Sequence, residues 1–254
     1  MSVPFYKSPV LINPLLHADH KIAPLSTYRF MSRTHAVFVA GIEFGDAGKE
    51  YPIVFTRING EINPVVMFGL REDENLFVEP DGAWSGNYIP AFVRRYPFVL
   101  ASIKGLTAES QLGVCVDEAY PGWNAVEGES LFDAEGGQTP YFKRTVSFLA
   151  RYQQEYTKTT QFCKRLEALD LLGAMDAHAK LPDGRTIQVN GLMVVKESRL
   201  ESLSDVQALA LFRSGDLAWI YSHLHSLSCL QQLLIRIERT PKHDDFRETL
   251  SSSL

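Results

Sequence analysis

The chain is poor in the features that most quickly betray a function. Its three cysteines, Cys115, Cys163 and Cys229, are widely spaced, odd in number and form no C-x-x-C, so neither a disulfide framework nor a zinc knuckle is encoded. Each sits in an apolar context ("LGVCV", "TQFCKRL", "SLSCLQQL"), which reads as a buried small hydrophobe in a reducing compartment. No run approaches the eighteen or so consecutive apolar residues of a membrane span, and "MSVPFYKSPVLINPLLHADHKIAPL" lacks the apolar stretch of a secretory signal. The expected location is cytoplasmic, with signal-independent export as the other route. Positive charge is not in excess: 25 Lys and Arg against 30 Asp and Glu leave a net charge of -5, so nucleic acid is not an expected partner. H-E-x-x-H, G-x-S-x-G, Walker and G-x-G-x-x-G sequences are all missing. Zincin, hydrolase and nucleotide-cradle chemistry therefore have no motif behind them, and no cofactor is implied.

What is present is β-rich first and helical later. Residues 1–27 carry Pro4, Pro9, Pro14 and Pro24, which oppose both helix and central strand; they read as an extended arm laying Phe5, Tyr6, Leu15 and Leu16 over a core. "HAVFVAGIEF", "YPIVFTRI" and "EINPVVMFGL" are strand candidates. Asn59-Gly60 joins the last two, and a type I′ turn needs positive φ at both positions. "NLFV", "YPFVLASIK" and "QLGVCVD" extend the set, with Pro80-Asp81-Gly82 as a turn. Pro90 to Tyr96 predicts about two helical turns burying Ile89, Phe92 and Val93; adjacent Arg94 and Arg95 then diverge by roughly 100° and share no buried face.

Thr139-Pro140 opens a helix through Phe142, Val146 and Leu149, with a break or bend expected at "YTKTT" and a second segment through Phe162, Leu166 and Leu169 ending at Gly173. "KLPDGRTIQVNGLMVVKE" predicts a hairpin with turns at Asp183-Gly184 and Asn190-Gly191. Ser204 and Gln207 have capping-box spacing, for a helix burying Val206, Leu209, Ala210 and the Phe212 region and closing at Gly215. "LAWIYSH" is strand-like, and "LSCLQQLLIRIER" is a last amphipathic helix. The fold class is α+β, a mostly antiparallel sheet in the N-terminal half packed with helices from the C-terminal half. After the arm, 28–240 reads as one domain, with 28–135 and 136–240 as candidate lobes, and 241–254 as a polar tail.

Several constellations are candidates for chemistry. His17 and His20 form H-x-x-H; His223 and His225 would share one face of a strand, with Glu43 a conceivable third ligand, but two ligands are not a site and no metal is expected. Ser222, Ser226 and Ser228 lie near His223 in sequence only. Asp117-Glu118 reads as solvated. The sharpest set is Asn75, Trp84, Tyr88, Arg94 and Arg95, because a guanidinium fork grips a carboxylate or phosphate while aromatics stack on a planar body. These are the candidate ligand-binding residues, for a small anionic or aromatic ligand. His223 is the one candidate catalytic residue.

The same region carries a resemblance. "YPIVF", "GLREDENLFVEPDGAWSGNYIPAFVRRYPF", "SLFDAEGGQT" and "GDLAWIYSHLHSLSCLQQL" resemble the SapC-like family of bacterial proteins, with W-x-x-x-Y-x-P-A-x-x-R-R-Y-P-F at its centre. The resemblance implies an association with bacterial surface layers, and similarity to proteins found among genes for flavin-dependent halogenase-like enzymes and outer-membrane TonB-dependent receptors. It implies no catalytic residue and no cofactor. The expected function is an accessory or binding protein of envelope, surface-layer or nutrient-uptake systems. The alternatives are an enzyme in which Arg94 or Arg95 orients an anion and His223 is acid or base, and a structural surface-layer subunit.

Overall fold

The computed structural model describes residues 5–103, 111–124, 126–180 and 186–239. Its strands are β1 (Pro9–Leu11), β2 (Lys21–Ile22), β3 (Ala36–Phe38), β4 (Ile53–Ile58), β5 (Glu61–Met67), β6 (Phe98–Ile103), β7 (Gln111–Asp117), β8 (Trp123–Asn124), β9 (Glu129–Ser130), β10 (Leu172–Lys180) and β11 (Thr186–Val195). They form a five-stranded sheet, β10-β11-β4-β5-β3, and two smaller ones, β1-β7-β6 and β8-β2-β9. All described ladders are antiparallel. Helices α1 (Phe44–Ala47), α2 (Ala91–Arg94), α3 (Pro140–Ala168), α4 (Glu197–Glu201), α5 (Asp205–Ser214), α6 (Asp216–Ser226) and α7 (Cys229–Arg239) complete an α+β fold.

The main hairpin forms where Asn59-Gly60 predicts it. Ile58 faces Glu61, and Asn59 and Gly60 take φ of 51° and 85°. "NLFV" falls short of a strand: it makes a single bridge, Val78 to Trp84, around the turn at Gly82. In the second hairpin Asn190-Gly191 is a bulge rather than a turn. Met175 faces Leu192 and Ala177 faces Val189, so Asp176 opposes two residues, and Gly191 accepts the positive φ of 75°. Asp183-Gly184 and the tail 241–254 lie outside the described residues.

Helix α3 touches a strand in each of the three sheets. The Thr139 hydroxyl accepts from the Phe142 amide at its start. The helix runs unbroken through "YTKTT". Thr157, Thr159 and Thr160 donate to the carbonyls of Gln153, Glu155 and Tyr156, and buried Thr159 also accepts from the Gly41 amide. Packing of Leu149, Tyr152, Phe162 and Leu166 outweighs the weak propensity of that run. The helix ends at Ala168 and Asp170, not Gly173, takes the left-handed turn at φ 52°.

Two further expectations fail for tertiary reasons. "LAWIYSH" is helical: Gly215, at φ 81°, closes α5, and Asp216 begins α6, gripped by both donors of Arg165 at 2.6 and 2.8 Å. Its buried residues Ile220 and His223 follow helical spacing. Helix α5 buries Leu211, while Val206, Leu209, Ala210 and Phe212 face outward.

The N-terminal arm is stitched into the sheets through β1 and β2. Phe5 is buried, but Leu15 and Leu16 are exposed, contrary to expectation. Asp117 is not solvated; it is fully buried and pins the arm. Its carboxylate accepts from the amides of Ser8 (2.7 Å), Lys7 (3.2 Å) and Ala119 (3.3 Å) and from the Tyr96 hydroxyl at 3.4 Å. Removing it strands several donors together. Asp117→Ala is expected to cost about 3 kcal/mol in urea unfolding and to speed proteolytic trimming of the arm, whereas Glu118→Ala leaves both unchanged.

Candidate functional site

The arm, the α2–β6 corner and the first turns of α3 enclose a cleft of about 340 Å³. Ile22–Leu25 form one wall, Arg94–Phe98 the second, and Tyr141, Arg144, Thr145 and Phe148 the third. Tyr141, Arg144, Thr145 and Phe148 recur at three- and four-residue spacing, so they share one face of α3. Three arginines line the cleft and no carboxylate does. None of the three forms an ion pair among the described residues.

Glu43 holds the arginine-bearing wall in place. Its buried carboxylate accepts from the Ala91 amide at 2.7 Å and the Tyr88 hydroxyl at 2.8 Å through Oε1, and from the Ala40 amide at 3.1 Å through Oε2. Helix α2 is one turn long, not two, and begins on that carboxylate. Arg94 lies exposed, its Nε donating to the Ile89 carbonyl at 2.8 Å and its guanidinium carbon 5.5 Å from the centroid of Phe148. Arg95, just past the helix end, is wedged between Phe92 and Tyr152 at 4.1 and 4.9 Å, and its Nε is buried without a hydrogen-bond partner. The divergence expected of the pair is thus real, Arg94 lying against Phe148 and Arg95 between Phe92 and Tyr152, yet both residues border the cleft.

The other candidates do not reach the cleft. Trp84 packs among Tyr28, Tyr51, Phe68 and Phe77 and donates to the Tyr51 hydroxyl at 3.0 Å. The Tyr88 hydroxyl is spent on Glu43, while burial and that carboxylate push its pKa up. Buried Asn75 donates to the Met31 carbonyl and accepts from the Phe77 amide. These three residues build the support behind the arginines. Arg144 escaped the sequence reading; its signal was the helical row Tyr141, Arg144, Phe148 following the Thr139-Pro140 cap.

With this geometry in hand, the comparison with known families is decisive: the SapC family model matches residues 12–233. The chain belongs to the SapC family. No curated protein and no solved structure matches it. The SapC match spans the arm from Ile12, the whole cleft and α7 as far as Leu233.

His17, His20 and His223 of this SapC chain are engaged within the fold. His223 is fully buried and lies on a helix, not a strand, so His225 points to another side. Both of its ring nitrogens are engaged: Nδ1 lies 2.8 Å from the Ile53 carbonyl, and Nε2 accepts from the Val195 amide at 3.1 Å. It does not line the cleft and is withdrawn as an acid or base. Ser226 is likewise occupied, donating to the His223 carbonyl and accepting from the Ile53 amide. His17 accepts from the Asn13 amide, and His20 stacks on Trp123. Among the described residues no group of three or more His, Cys, Asp or Glu could hold a metal. The cysteines are buried and free, and burial pushes the Cys163 thiol up to about 12, far from a reactive thiolate.

Burial lowers His223 from 6.5 to about 4. The folded ring stays neutral while the unfolded chain takes up a proton, so this stabilisation is complete above about pH 6.5 and is lost as pH falls toward 4. It amounts to about 3 kcal/mol. Urea unfolding from pH 7.5 to 4.5 is expected to show that loss, and His223→Ala, already weaker at pH 7.5, is expected to show a flatter profile. Equal pH slopes in the two proteins would refute the assignment.

Proposed function

We propose that the protein is a non-enzymatic binding protein of a bacterial envelope, surface-layer or nutrient-uptake system, which holds a small organic anion in the arginine-lined cleft. The observation that carries this reading is the gathering of Arg94, Arg95 and Arg144 around one concavity that has no carboxylate in its lining. Uncompensated guanidinium groups on a shared surface repel one another, and an anion relieves that repulsion while accepting their hydrogen bonds. Tyr141 and Phe148 supply apolar faces beside them, which suits a planar body carrying the charge. The cavity volume lies at the small end of the range for small-molecule sites. The SapC match supplies the family context. No helix among the described residues is long and apolar enough to cross a membrane.

The test is calorimetric titration with benzoate, phenyl phosphate and citrate, and with benzamide as the uncharged control. Binding of at least one anion and none of benzamide is expected, weakening with salt. Arg94→Ala with Arg144→Ala is expected to cost roughly ten- to a hundredfold in affinity while leaving the melting temperature of the free protein unchanged. Anions that fail to bind, or bind the double variant equally well, remove the reading.

A further inference from the structure

We propose that the protein pairs with a second copy of itself by seating a leucine knob of each copy in an apolar groove of the other. The knob is Leu15-Leu16, 90% and 71% exposed. It is held stiffly for a surface turn. The Asn13 side chain accepts from the Leu15 amide at 2.8 Å, its carbonyl accepts from the Leu16 and His17 amides, and its own amide donates to the buried His17 ring at 3.0 Å. His17 is in turn packed on Trp123. Two leucines presented on a fixed turn lose little freedom on being buried, which is the condition for an anchor.

Directly beside the knob lies a second concavity of about 410 Å³, walled by Leu11, Ile12, Pro14, Val114, Phe132 and Phe142, with Gln138 at its edge. Phe142 separates it from the arginine cleft, since its ring stands against Phe98 on one side and Phe132 on the other. The eight side-chain carbons of two leucines, each about the size of a water at roughly 30 Å³, require about 240 Å³, so the groove accommodates them. The chain's own leucines stay out of it, as their exposure shows. A knob and a matching groove side by side on one patch meet the requirement of a two-fold interface, in which a single surface supplies both halves of the contact. Exposed Asp133 and Glu135 adjoin the lining residues Phe132 and Gly136, which makes an anionic bilayer a poorer occupant. The patch is smaller than a standard interface, so the expected dimer is a weak one.

Sedimentation equilibrium over about 1 to 300 µM tests this. The wild-type protein is expected to dimerise within that range. A knobless variant, Leu15→Ser with Leu16→Ser, and a plugged variant, Gln138→Trp, are each expected to lose at least tenfold in dimer affinity, with unchanged circular dichroism because all three positions are exposed. Mixed, the two are expected to associate more tightly than either does with itself, though less tightly than wild type, because the heterodimer keeps one of the two contacts: the knobless chain keeps its groove and the plugged chain keeps its knob. A wild-type protein that stays monomeric, variants that dimerise as before, or a mixture that associates no more tightly than the separate variants would each overturn the proposal. So would Leu15-dependent co-sedimentation with phosphatidylcholine vesicles in place of self-association.

Discussion

One buried imidazole ties the two halves of this protein together. Strands β4 and β11 pair at Phe55–Met193 and Thr56–Leu192, and the same register continued would bring Val54 opposite Val194 and then Ile53 opposite Val195. At that last pair His223 of α6 stands in for the ladder, its two nitrogens serving the Ile53 carbonyl and the Val195 amide. Both contacts are satisfied only by a neutral ring with its proton on Nδ1, since a protonated ring would turn a donor toward the Val195 N–H. Ser226, one turn further along α6, completes the join at the Ile53 amide. A helix from the C-terminal half thus extends the hydrogen bonding of a sheet from both halves, and the His223 ring, the Ser226 hydroxyl, both Ile53 backbone groups and the Val195 amide all find partners there.

Glu43 plays the corresponding part at the cleft. A buried carboxylate is expensive to desolvate, and here three donors offset that cost. Two of those donors, the Tyr88 hydroxyl and the Ala91 amide, belong to the segment that leads to Arg94 and Arg95. The aromatic layer of Tyr51, Phe68, Phe77 and Trp84 backs the same segment, and the Tyr51 hydroxyl donates to the Tyr88 carbonyl. The arginines therefore sit on a rigid, well-satisfied support, which is what a site for a small charged ligand requires. The long α3 supplies the opposite wall and, through Phe142, the partition between the cleft and the apolar groove.

The parts of the fold legible in the sequence were those whose signal is local. Asn59-Gly60, Thr139-Pro140, Ser204 with Gln207, and Gly215 each specify a turn or a cap through their own backbone needs. The misread parts were those where a distant contact outvoted composition. "YTKTT" stays helical because Thr159 is buried against Gly41. "LAWIYSH" is rich in strand formers, yet Asp216 is clamped by Arg165 and the segment follows helical spacing. Leu15 and Leu16 looked like core and are not, because the Asn13–His17 turn directs them outward.

The candidate site divides along the same line. The sequence by itself determined that aromatics and two adjacent arginines crowd one proline-bracketed segment, that metal, thiol and nucleotide-cradle motifs are missing, and that the family resemblance centres there. Only the tertiary structure decided which of those residues border a cavity. Trp84, Tyr88 and Asn75 went to the support, Arg144 arrived from α3 some fifty residues away in sequence, and His223 was sealed between two strands. The physical reason is that a side chain's type follows from the sequence alone, whereas its freedom to meet a ligand depends on which neighbours have already claimed its hydrogen bonds and its surface.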